Sequence, residues 1–535
     1  MRTVTVILAC VMFVSLVLSG CGKSDAGSTQ APESTNDKQA QQPVEKALEI
    51  SYMPFIDLAS QNSYATQKIT ELLQKKGINV KFTMKTLGTH DGVEWEKKFK
   101  LLTATGEKPA DVIQLNGLYT EAVNAGLFAE LNMDMLKKTM PKYVAQVDKI
   151  DAKALWAVCK DPVTGKLLSI PSFNMFGPNR HTFVYRHDWL KKLGMEAPKT
   201  IEEFEKWLKA CRTQDFNGNG KNDEYGYTSE DDPNMLGFCE IFGAYGVMPG
   251  QWMVKDGKIV KAETQPEAKE ALKLLRKWYS EDLLPKGILT SSKRENDFNS
   301  GLVGTLGQSK AYAPALVETG ALYVNLRAKD PKAEMLAVPS PKGADGKFGT
   351  WEWGPKKYVL CFGKHLEKDA QKLESILKMF ETIATDKELF EVAMLGEKGK
   401  HWDFIDKAAN KGATVFLDPF KDFNKRLDEV GVREMSESAF SPVWVEEVYR
   451  DYLDQTALKY ASQHTGYYDA MAGLNLPSDP KYKNDLLILT KAAYLEIIFG
   501  KKPIESFDEY VKTWNSKGGE AYTKEANEYY NKLYK

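Results

Sequence analysis

Residues 182–194 read Thr-Phe-Val-Tyr-Arg-His-Asp-Trp-Leu-Lys-Lys-Leu-Gly, and this stretch indicates the fold class of the chain. An apolar run typical of a strand leads directly into a helical pattern, which Gly194 is expected to end. Upstream, residues 165–173 form a turn and a second apolar run, which we expect Pro171 to stop. A strand followed by a helix is the repeating unit of α/β proteins.

The next segment predicts an amphipathic helix with a defined start. Thr200 and Glu203 have the capping-box spacing, in which a hydroxyl and a carboxylate each accept a free backbone N–H at the helix start. Apolar side chains then recur at helical spacing, at Phe204, Trp207, Leu208 and Cys211. We therefore expect this face, and Trp278 on a similar stripe, to pack in the core.

A loop rich in oxygen side chains follows, with the sequence Asp-Phe-Asn-Gly-Asn-Gly-Lys-Asn-Asp-Glu at 215–224. Oxygens at alternate positions and a glycine for the sharp turn form the pattern that calcium needs. The predicted donors are Asp215, Asn217, Asn219, Lys221 (through its backbone carbonyl), Asp223 and Glu224. Position 12 of a full EF-hand would be Gly226, so the loop is a shortened variant. The alternative is an Asn/Asp/Gly turn held by side-chain-to-backbone hydrogen bonds.

The N-terminus predicts export. Arg2 precedes an apolar stretch at 3–18 that is too short to span a bilayer comfortably, so residues 1–20 are predicted to be a signal peptide. The segment ends in Leu-Ser-Gly-Cys, which is similar to a bacterial lipobox and implies that Cys21 carries a diacylglycerol. A plain signal peptide with an incidental cysteine is the alternative. Residues 21–46 have almost no large apolar side chain and predict a disordered tether.

Composition bounds the class of protein. The chain has 535 residues, 43% of them hydrophobic, which is enough for a sizeable core. The 72 basic and 73 acidic residues give a net charge of −1, so nothing favours nucleic acid or an anionic membrane surface as a partner. Outside the signal region, the cysteines lack metal-ligand spacing and predict buried thiols, with one disulfide bridge as the alternative; they are Cys159, Cys211, Cys239 and Cys361.

Strand and helix patterns alternate over much of the chain. Strands are predicted at 48–55, 79–84, 110–116 and 358–362. Helices are predicted at 64–76 and 122–126, and further helices close the chain. This alternation favours an α/β fold with a largely parallel sheet.

Several short motifs, in this order and behind a lipobox, resemble the extracellular solute-binding lipoproteins of ABC importers. The resemblance is to family 1, in the LplA-like group related to alginate-oligosaccharide-binding proteins, and it extends from about residue 47 to 535. The motifs are Lys-Pro-Ala-Asp-Val-Ile at 108–113, Gly-Leu-Phe-Ala-Glu-Leu at 126–131, the stretches at 165–171 and 185–194, the oxygen-rich loop, Gly-Lys-His-Trp at 399–402, and Ile-Phe-Gly-Lys-Lys-Pro-Ile-Glu-Ser-Phe-Asp at 498–508 with Trp514 and Gly518-Gly519.

The resemblance implies a two-lobe, periplasmic-binding-protein-like (type II) α/β fold with a hinged interlobe cleft. The implied N-terminal lobe is formed by residues 47–178 and 356–430. The implied second lobe contains residues 179–355, with the calcium loop, and residues 431–535, with the C-terminal helices. The predicted donors at 215–224 match the family's calcium loop, so Ca²⁺ is implied as a structural cofactor.

The resemblance also implies ligand-binding residues in the cleft. Aromatic faces stack on sugar rings, while amides and hydroxyls bond the ring hydroxyls. Positions that face the cleft in related maltose-type binders are held here by Gln114, Asn116, Gln308, Ser309, Tyr312, Phe440 and Trp444. Further candidates are Trp351, Trp353 and Trp402, for which a core position is the alternative, and Arg180 with His401, which could face the carboxylate of an acidic sugar.

The implied function is capture of a carbohydrate, with an oligosaccharide as the expected ligand, and its delivery to ABC permease subunits. Closure of the hinged cleft around the sugar is the implied mechanism. We expect a monomer on the extracellular face of the membrane, attached only through its lipid, and no enzymatic activity. The alternatives are a secreted polysaccharide-active enzyme and a tethered sugar sensor for a receptor kinase. No metalloprotease, nucleophile-elbow or phosphate-loop motif supports the enzyme.

Overall fold

The computed structural model describes residues 47–55, 60–89, 91–107, 109–173, 182–229, 235–288, 294–307, 321–354, 356–431, 459, 466–471 and 474–534. The predicted signal peptide, Cys21, the tether and the first crossing between lobes lie outside these ranges. They stay predictions, as do the lobe boundaries given above.

Within these ranges, the strands are short. In chain order they are β1 Leu48–Met53, β2 Val80–Met84, β3 Val112–Leu115, β4 Ser169–Phe173, β5 Phe183–Arg186, β6 Trp252–Lys255, β7 Lys258–Lys261, β8 Thr305–Leu306, β9 Met335–Val338, β10 Thr350–Glu352, β11 Lys356–Phe362, β12 Trp402–Phe404, β13 Thr414–Phe416 and β14 Gly466–Tyr468.

Helices separate most of these strands. The α-helices are α1 Tyr64–Lys75, α2 Gly92–Ala104, α3 Tyr119–Asn124, α4 Met133–Thr139, α5 Pro141–Ala157, α6 His187–Leu193, α7 Ile201–Cys211, α8 Cys239–Ala244, α9 Pro266–Ser280, α10 Arg294–Asn299, α11 Ala321–Lys329, α12 Ala370–Thr385, α13 Lys387–Leu395, α14 Phe423–Lys425, α15 Asp479–Ile498, α16 Ser506–Trp514 and α17 Glu520–Tyr534. Short π-helical segments follow α14 and α16, at Arg426–Val430 and Asn515–Gly519.

The first sheet has the strand order β2-β1-β3-β11-β4. Strand β1 is parallel to β2 and β3, whereas β11 is antiparallel to both β3 and β4. Strands β1, β3 and β4 therefore run in one direction and end at one edge of the sheet, which we call the carboxyl edge. Strand β11 begins at that edge with Lys356, so the chain leaves the sheet after Phe173 and returns to it at Lys356.

The prediction that Pro171 stops its apolar run is wrong. Pro171 lies inside β4, where its Cα is the register partner of Val359 in β11. Proline has no N–H to donate, so it is tolerated in a sheet only where that N–H would be unpaired. Strand β4 is the outer strand next to β11, which explains why Pro171 fits there.

The sheet predicted to be largely parallel is mixed, and a second sheet is antiparallel. Strand β5 pairs antiparallel with both β8 and β9, giving the order β8-β5-β9. Its side chains pack against α10 and α11 through a small cluster that includes Val184, Phe298 and Leu326. A separate parallel pair, β10 with β14, joins the segment that precedes β11 to a segment more than a hundred residues later.

The helix predicted after residue 200 is confirmed. Thr200 caps α7 by accepting the N–H of Glu203 at 3.3 Å, and the Glu203 carboxylate accepts the N–H of Lys199 at 2.7 Å. The predicted stripe is fully buried, and so is Trp278 on α9. Local spacing was sufficient here because the cap and the stripe both lie within one helix.

Asp111 ties the first sheet together at the start of β3. One carboxylate oxygen accepts the backbone N–H and the hydroxyl of Ser51 on β1, at 2.7 and 2.8 Å. The other lies 2.8 Å from both His365 Nε2 and Lys372 Nζ. Burial alone would raise the pKa of Asp111, but the bonds from Lys372, His365 and Ser51 outweigh it and lower the pKa to about 2. Both oxygens of this carboxylate are therefore fully used.

The predicted thiols are confirmed. Cys159, Cys211, Cys239 and Cys361 are free and buried. Burial raises the pKa of each thiol, so each stays protonated at neutral pH.

The C-terminal helices pack against the part of the chain that carries the second sheet. Arg276 on α9 donates to the carbonyl of Ile497 on α15 at 2.9 Å. Asn527 on α17 exchanges two hydrogen bonds with the backbone of Ile259 on β7, at 2.8 and 2.7 Å. None of the helices in the described ranges combines the length and the apolar character needed to cross a membrane.

Candidate functional site

Gln114 lies near the end of β3, at the carboxyl edge of the first sheet. Its side chain is fully buried, and Oε1 accepts the backbone N–H of Phe55 at 2.9 Å. Among the described residues, its Nε2 has no hydrogen-bond partner. A buried amide nitrogen without an acceptor costs about 1–3 kcal/mol, so this position is one where a ligand oxygen or a water would be stabilising.

The residues that follow β3 continue this polar edge. Asn116 is exposed directly after the strand. A Cβ at Gly117 would lie 2.5 Å from Oε1 of Glu96 on α2, so the glycine is what allows this carboxylate to approach the backbone. Burial raises the pKa of Glu96. Glu96 was not found from the sequence; the glycine two residues after the strand is the signal that could have indicated a close approach.

Trp351 and Trp353 lie on the segment that leads into β11. Their ring centroids are 5.7 Å apart at an angle of 49°. Trp351 is partly buried, whereas Trp353 is 42% exposed, which is high for a tryptophan. Since the segment enters the sheet at the carboxyl edge beside β3, the topology brings both indoles towards the edge that holds Gln114.

Trp402 and His401 occupy an interior position instead. Trp402 is fully buried, its N–H donates to the carbonyl of Gly396 at 3.2 Å, and its ring meets Phe404 edge-on at 5.1 Å. His401 is also buried, and burial lowers the pKa of its imidazole, which disfavours a charged ring. In this arrangement neither ring offers a free face, so their predicted roles in binding rest on sequence alone.

The other predicted ligand residues are not covered by the described ranges. They are Arg180, Gln308, Ser309, Tyr312, Phe440 and Trp444. Their roles stay predictions.

Two further polar side chains near predicted ligand segments were missed. Lys356, the first residue of β11, is partly buried at the carboxyl edge. Glu240 on α8 is fully buried beside Gly307, which precedes the predicted ligand residues Gln308 and Ser309. Its Oε2 accepts the Tyr227 hydroxyl at 2.9 Å, while Oε1 lacks a hydrogen-bond partner in the described part of the chain. Burial raises the pKa of Glu240, although the charge of Arg294 opposes this shift.

The oxygen-rich loop is folded around Asp215. One carboxylate oxygen accepts the N–H groups of Gly218 and Asn219, at 2.7 and 3.1 Å, and the other accepts that of Gly220 at 2.8 Å. Asn219 accepts the N–H of Lys221 at 2.8 Å. Hydrogen bonds from backbone N–H groups hold the pKa of Asp215 below its ordinary value, and the bond from Gly220 has the largest effect. Partial burial acts in the opposite direction and raises this pKa. These contacts are those of a tight Asx-type turn.

Glu224 carries the feature that such a turn does not require. It is fully buried, and Oε1 accepts the N–H groups of Phe216 and Asn217, at 2.7 and 2.9 Å. Its Oε2 is buried with no hydrogen-bond partner among the described residues. A buried carboxylate oxygen calls for a donor or a cation.

Gly226 explains why the loop is shorter than an EF-hand. A Cβ there would lie 2.8 Å from Leu208 and 3.2 Å from the Trp207 nitrogen, both on α7. A glutamate at this position would not fit, so the last acid has to come earlier, at Glu224. The position of the last acid in the loop is therefore determined by the packing of Gly226 against α7.

The residues present fit a calcium ion by donor type. Asp215, Asn217, Asp223 and Glu224 offer only oxygen as acceptors, and the Glu224 Oε2, which has no partner in the described part of the chain, would be stabilised by a cation. Within the described ranges, no group of three or more His, Cys, Asp or Glu converges as it would around a metal. The predicted calcium ligands of the 215–224 loop therefore include asparagine side-chain oxygens and a backbone carbonyl oxygen, which calcium accepts as ligands.

Comparison with known proteins gives a consistent picture. A family model for bacterial extracellular solute-binding proteins matches residues 57–358. The polygalacturonan/rhamnogalacturonan-binding protein YtcQ of Bacillus subtilis (strain 168) is 23% identical over 537 residues, which covers 98% of this chain and 97% of YtcQ.

Solved structures share the fold. The alginate-binding protein AlgQ2, in a structure without calcium ion, matches with a TM-score of 0.64 at 17% identity, over 92% of this chain and 100% of AlgQ2. An EF-hand mutant of FusA from S. pneumoniae, in complex with fructo-nystose, matches with a TM-score of 0.61 at 16% identity, over 91% of this chain and 99% of FusA. The chain therefore has the two-lobe α/β fold of solute-binding proteins, as predicted.

Proposed function

This chain belongs to the family of bacterial extracellular solute-binding proteins, and from that premise we propose that it captures an oligosaccharide between its two lobes and hands it, chemically unaltered, to an ABC permease. Neutral and acidic oligosaccharides are both compatible with the polar and aromatic residues at the carboxyl edge.

One observation carries this proposal: the amide nitrogen of Gln114 is buried and has no hydrogen-bond partner among the described residues. In α/β sheets, ligands bind outside the carboxyl ends of the strands, where Gln114 lies. A sugar hydroxyl is an acceptor that would satisfy this nitrogen. Trp353, exposed on the segment that enters the same edge, offers the apolar face that a sugar ring needs.

The relatives indicate which sugars to test first. YtcQ, which matches nearly the whole chain, is named for binding polygalacturonan and rhamnogalacturonan. AlgQ2 is named for binding alginate, and FusA was solved with a fructan fragment. Pectin fragments therefore come first, followed by alginate and fructan fragments.

Closure of the lobes is the proposed mechanism. The chain leaves the first sheet after Phe173 and returns at Lys356, so both connections start at the carboxyl edge. The β10–β14 pair lies next to the return, where Gly354 leaves room for the Tyr468 ring: a Cβ at Gly354 would lie 2.0 Å from it. A sugar that contacts both lobes stabilises the closed form, which the permease recognises.

We place the protein on the extracellular face of the cell membrane, attached through a lipid on Cys21. Replacement of Cys21 by serine should move the protein from the membrane fraction to the medium. Retention in the membrane fraction would refute the lipid anchor without affecting the binding proposal.

The binding proposal is tested by calorimetric titration of purified protein with defined oligosaccharides, starting with oligogalacturonates. We expect one site and a micromolar or lower dissociation constant for at least one sugar. Chromatography of the sugar after long incubation should return it at its original length. Shortened or modified sugar would support the polysaccharide-active enzyme instead, and absence of binding across pectin, alginate and fructan fragments would refute oligosaccharide capture.

We also propose that the loop at 215–224 holds one structural calcium ion. Asp215, Asn217, Asn219, Asp223 and Glu224 would bind it through side-chain oxygens, and Lys221 through its carbonyl. A bound cation would neutralise the buried Glu224 carboxylate and hold the loop against α7. At about a hundred times its dissociation constant, calcium would stabilise the folded state by roughly 2.7 kcal/mol.

A melt with and without chelator tests the calcium proposal. Chelation should lower the melting temperature, and Asp215→Ala should abolish the response to added calcium. Asp345→Ala is a suitable control because Asp345 is an exposed turn residue, with 79% of its side chain accessible. An unchanged melt after calcium removal would leave the loop as an Asx-type turn.

A further inference from the structure

The carboxylate of Glu96 on α2 lies against the loop that follows β3. A Cβ added at Gly117 would lie 2.5 Å from its Oε1 and 3.8 Å from its Oε2, so both oxygens are close to the backbone of this loop. Asn116, the exposed residue before Gly117, is a predicted ligand residue. The side chain of Glu96 is only partly buried, so a ligand can reach it.

A second set of contacts places Glu96 at the same end of β3 as Gln114. The backbone N–H of Phe55 donates to Oε1 of Gln114 at 2.9 Å. The ring of Phe55 meets the ring of Trp95 edge-on, with the centroids 5.1 Å apart, and Trp95 directly precedes Glu96 on α2. Phe55 therefore joins Gln114 to the part of α2 that carries Glu96.

The loop does not use this carboxylate for its own hydrogen bonds. Among the described residues, no N–H or hydroxyl donates to Glu96, and the charges that act on it are those of Lys100 and Glu121. The Lys100 ammonium lies 4.0 Å from the Glu121 carboxylate, which shares its charge. By contrast, Glu224 accepts two N–H groups of its own loop. The acceptor oxygens of Glu96 are therefore left for a ligand.

The backbone of the loop is strained where it passes Glu96. Leu118, directly after Gly117, has a φ of 58°, in the left-handed region that a leucine rarely adopts. It precedes α3 and gives this helix no side-chain cap. Strain of this kind is concentrated at binding sites, where the surrounding structure holds a backbone in place.

From this placement we infer that Glu96 binds a neutral sugar unit of the captured oligosaccharide, by accepting hydrogen bonds from two of its ring hydroxyls. An ionised carboxylate has two acceptor oxygens and no donor, and its hydrogen bonds are stronger than those of neutral acceptors. A uronate at the same position would bring a second negative charge, which Glu96 repels. Glu96 therefore selects a neutral ring at this position, whatever the charge of the other units. The inference rests on the proposed function, because it requires that an oligosaccharide binds at this edge.

The test compares one oligosaccharide in two charge states. Oligogalacturonate, the same oligomer with its carboxyl groups methyl-esterified, and a neutral fructan fragment are titrated into wild-type protein and Glu96→Gln. The variant keeps the shape of the side chain but loses its charge and one acceptor oxygen. Glu94→Gln is the matched control on the same helix, because the Glu94 carboxylate already bonds Thr89 and Lys98, each at 2.9 Å.

We expect wild-type protein to bind the ester, the fructan fragment or both. Glu96→Gln should weaken such a neutral ligand by about tenfold or more, the loss expected for a hydrogen bond to a charged group. It should weaken the acid by a clearly smaller factor, because the substitution also removes a repulsion. Glu94→Gln should bind every ligand as wild type does.

Three results would overturn the inference and leave oligosaccharide capture standing: wild-type protein that binds only the acid, no loss in Glu96→Gln, or equal losses for acid and ester. If only the fructan fragment binds, its loss in Glu96→Gln decides. If none of the three ligands binds wild-type protein, the proposed function fails, and the inference with it.

Gly117→Ala tests whether the position of the carboxylate matters. The added methyl group would displace Oε1 of Glu96, so affinity for the neutral ligand should fall. Combined with Glu96→Gln, the two losses should be less than additive, because both substitutions act on the same group. Additive losses, or no loss in Gly117→Ala, would overturn the inference.

A thermal melt without ligand separates a binding carboxylate from a structural one. Because no described residue donates a hydrogen bond to Glu96, Glu96→Gln should melt at the wild-type temperature. A clear decrease in melting temperature would assign Glu96 a structural role and overturn the inference, whatever the binding data.

Discussion

Two polar side chains three residues apart, one directly before strand β3 and one within it, have opposite surroundings. Asp111, directly before β3, uses both oxygens in bonds to Ser51, His365 and Lys372. Gln114, near the end of β3, has a buried amide nitrogen with no partner in the described ranges. The start of the strand is arranged for stability. Its carboxyl end keeps bonding capacity unused, as expected of a surface that takes up a ligand.

Replacing Asp111 by alanine should have the largest effect on stability. It leaves the Ser51 N–H without its acceptor and places His365 and Lys372 together without their shared carboxylate. We expect the free energy of unfolding to fall by about 3 kcal/mol, the range for breaking a buried ion pair, as measured by urea denaturation. Sugar affinity should be unchanged in the folded fraction. A decrease in the free energy of unfolding of less than about 1 kcal/mol would show that the bonds of Asp111 contribute little to stability, which contradicts the difference between the two ends of β3.

Acid should remove part of the same stabilisation. The folded pKa of Asp111, about 2, lies below its ordinary value of 3.8, so the contribution is complete above the ordinary value and is lost as the pH falls towards the folded value. The shift corresponds to about 2 kcal/mol. Denaturation curves between pH 5 and pH 2, about the range set by these two pKa values, should be steeper in pH for wild type than for Asp111→Asn. Parallel pH profiles would contradict this assignment.

A smaller change is expected from Ser51→Ala. The hydroxyl donates to the Asp111 carboxylate and accepts the Asp111 N–H, both at 2.8 Å, but the backbone N–H of Ser51 keeps its bond in the variant. Loss of the hydroxyl should cost about 1 kcal/mol in urea denaturation. Combined with Asp111→Ala, the two losses should be less than additive, because they remove the same contact.

The smallest effect on stability is expected at Gln114. Gln114→Met leaves the Phe55 N–H unpaired but also removes a buried nitrogen that has no partner among the described residues, so stability should change by less than about 1 kcal/mol. Affinity for the sugar should fall about tenfold, or 1.4 kcal/mol. Gln251 is the matched control: it is buried, but its amide donates to the Tyr467 carbonyl at 2.8 Å. Gln251→Met should therefore cost more stability than Gln114→Met.

Local features of the fold could be predicted from the sequence, because their signals lie within a few residues. The cap at Thr200, the buried stripe of α7 and the left-handed Gly194 that ends α6 belong to this group, and all are confirmed. The shortened oxygen-rich loop was also visible in the sequence. Its cause, the packing of Gly226 on Trp207, was not, because that contact depends on how the loop folds back on α7.

Contacts between distant parts of the chain could not be predicted. His365 reaches Asp111 across 254 residues, and nothing near either position indicates the pairing. Pro171 was interpreted as the end of a strand. It can lie inside β4 because β4 is an outer strand, and that depends on where the distant strand β11 joins the sheet. Lys356 was missed for the same reason: only the sheet order places it at the carboxyl edge. Gln114 and Asn116 were predicted as ligand residues because the resemblance to known binders carries three-dimensional information that periodicity lacks.

The buried state of the cysteines has a practical consequence for observing closure directly. In protein that begins after Cys21, the four remaining thiols are shielded and protonated, so cysteines introduced at exposed positions would react with maleimide dyes far faster. Val163, 69% accessible in the turn before β4, and Val324, 51% accessible on α11 beside the second sheet, offer one such position in each predicted lobe. Energy transfer between a donor and an acceptor dye at these positions would report the interlobe distance in single molecules as sugar is added.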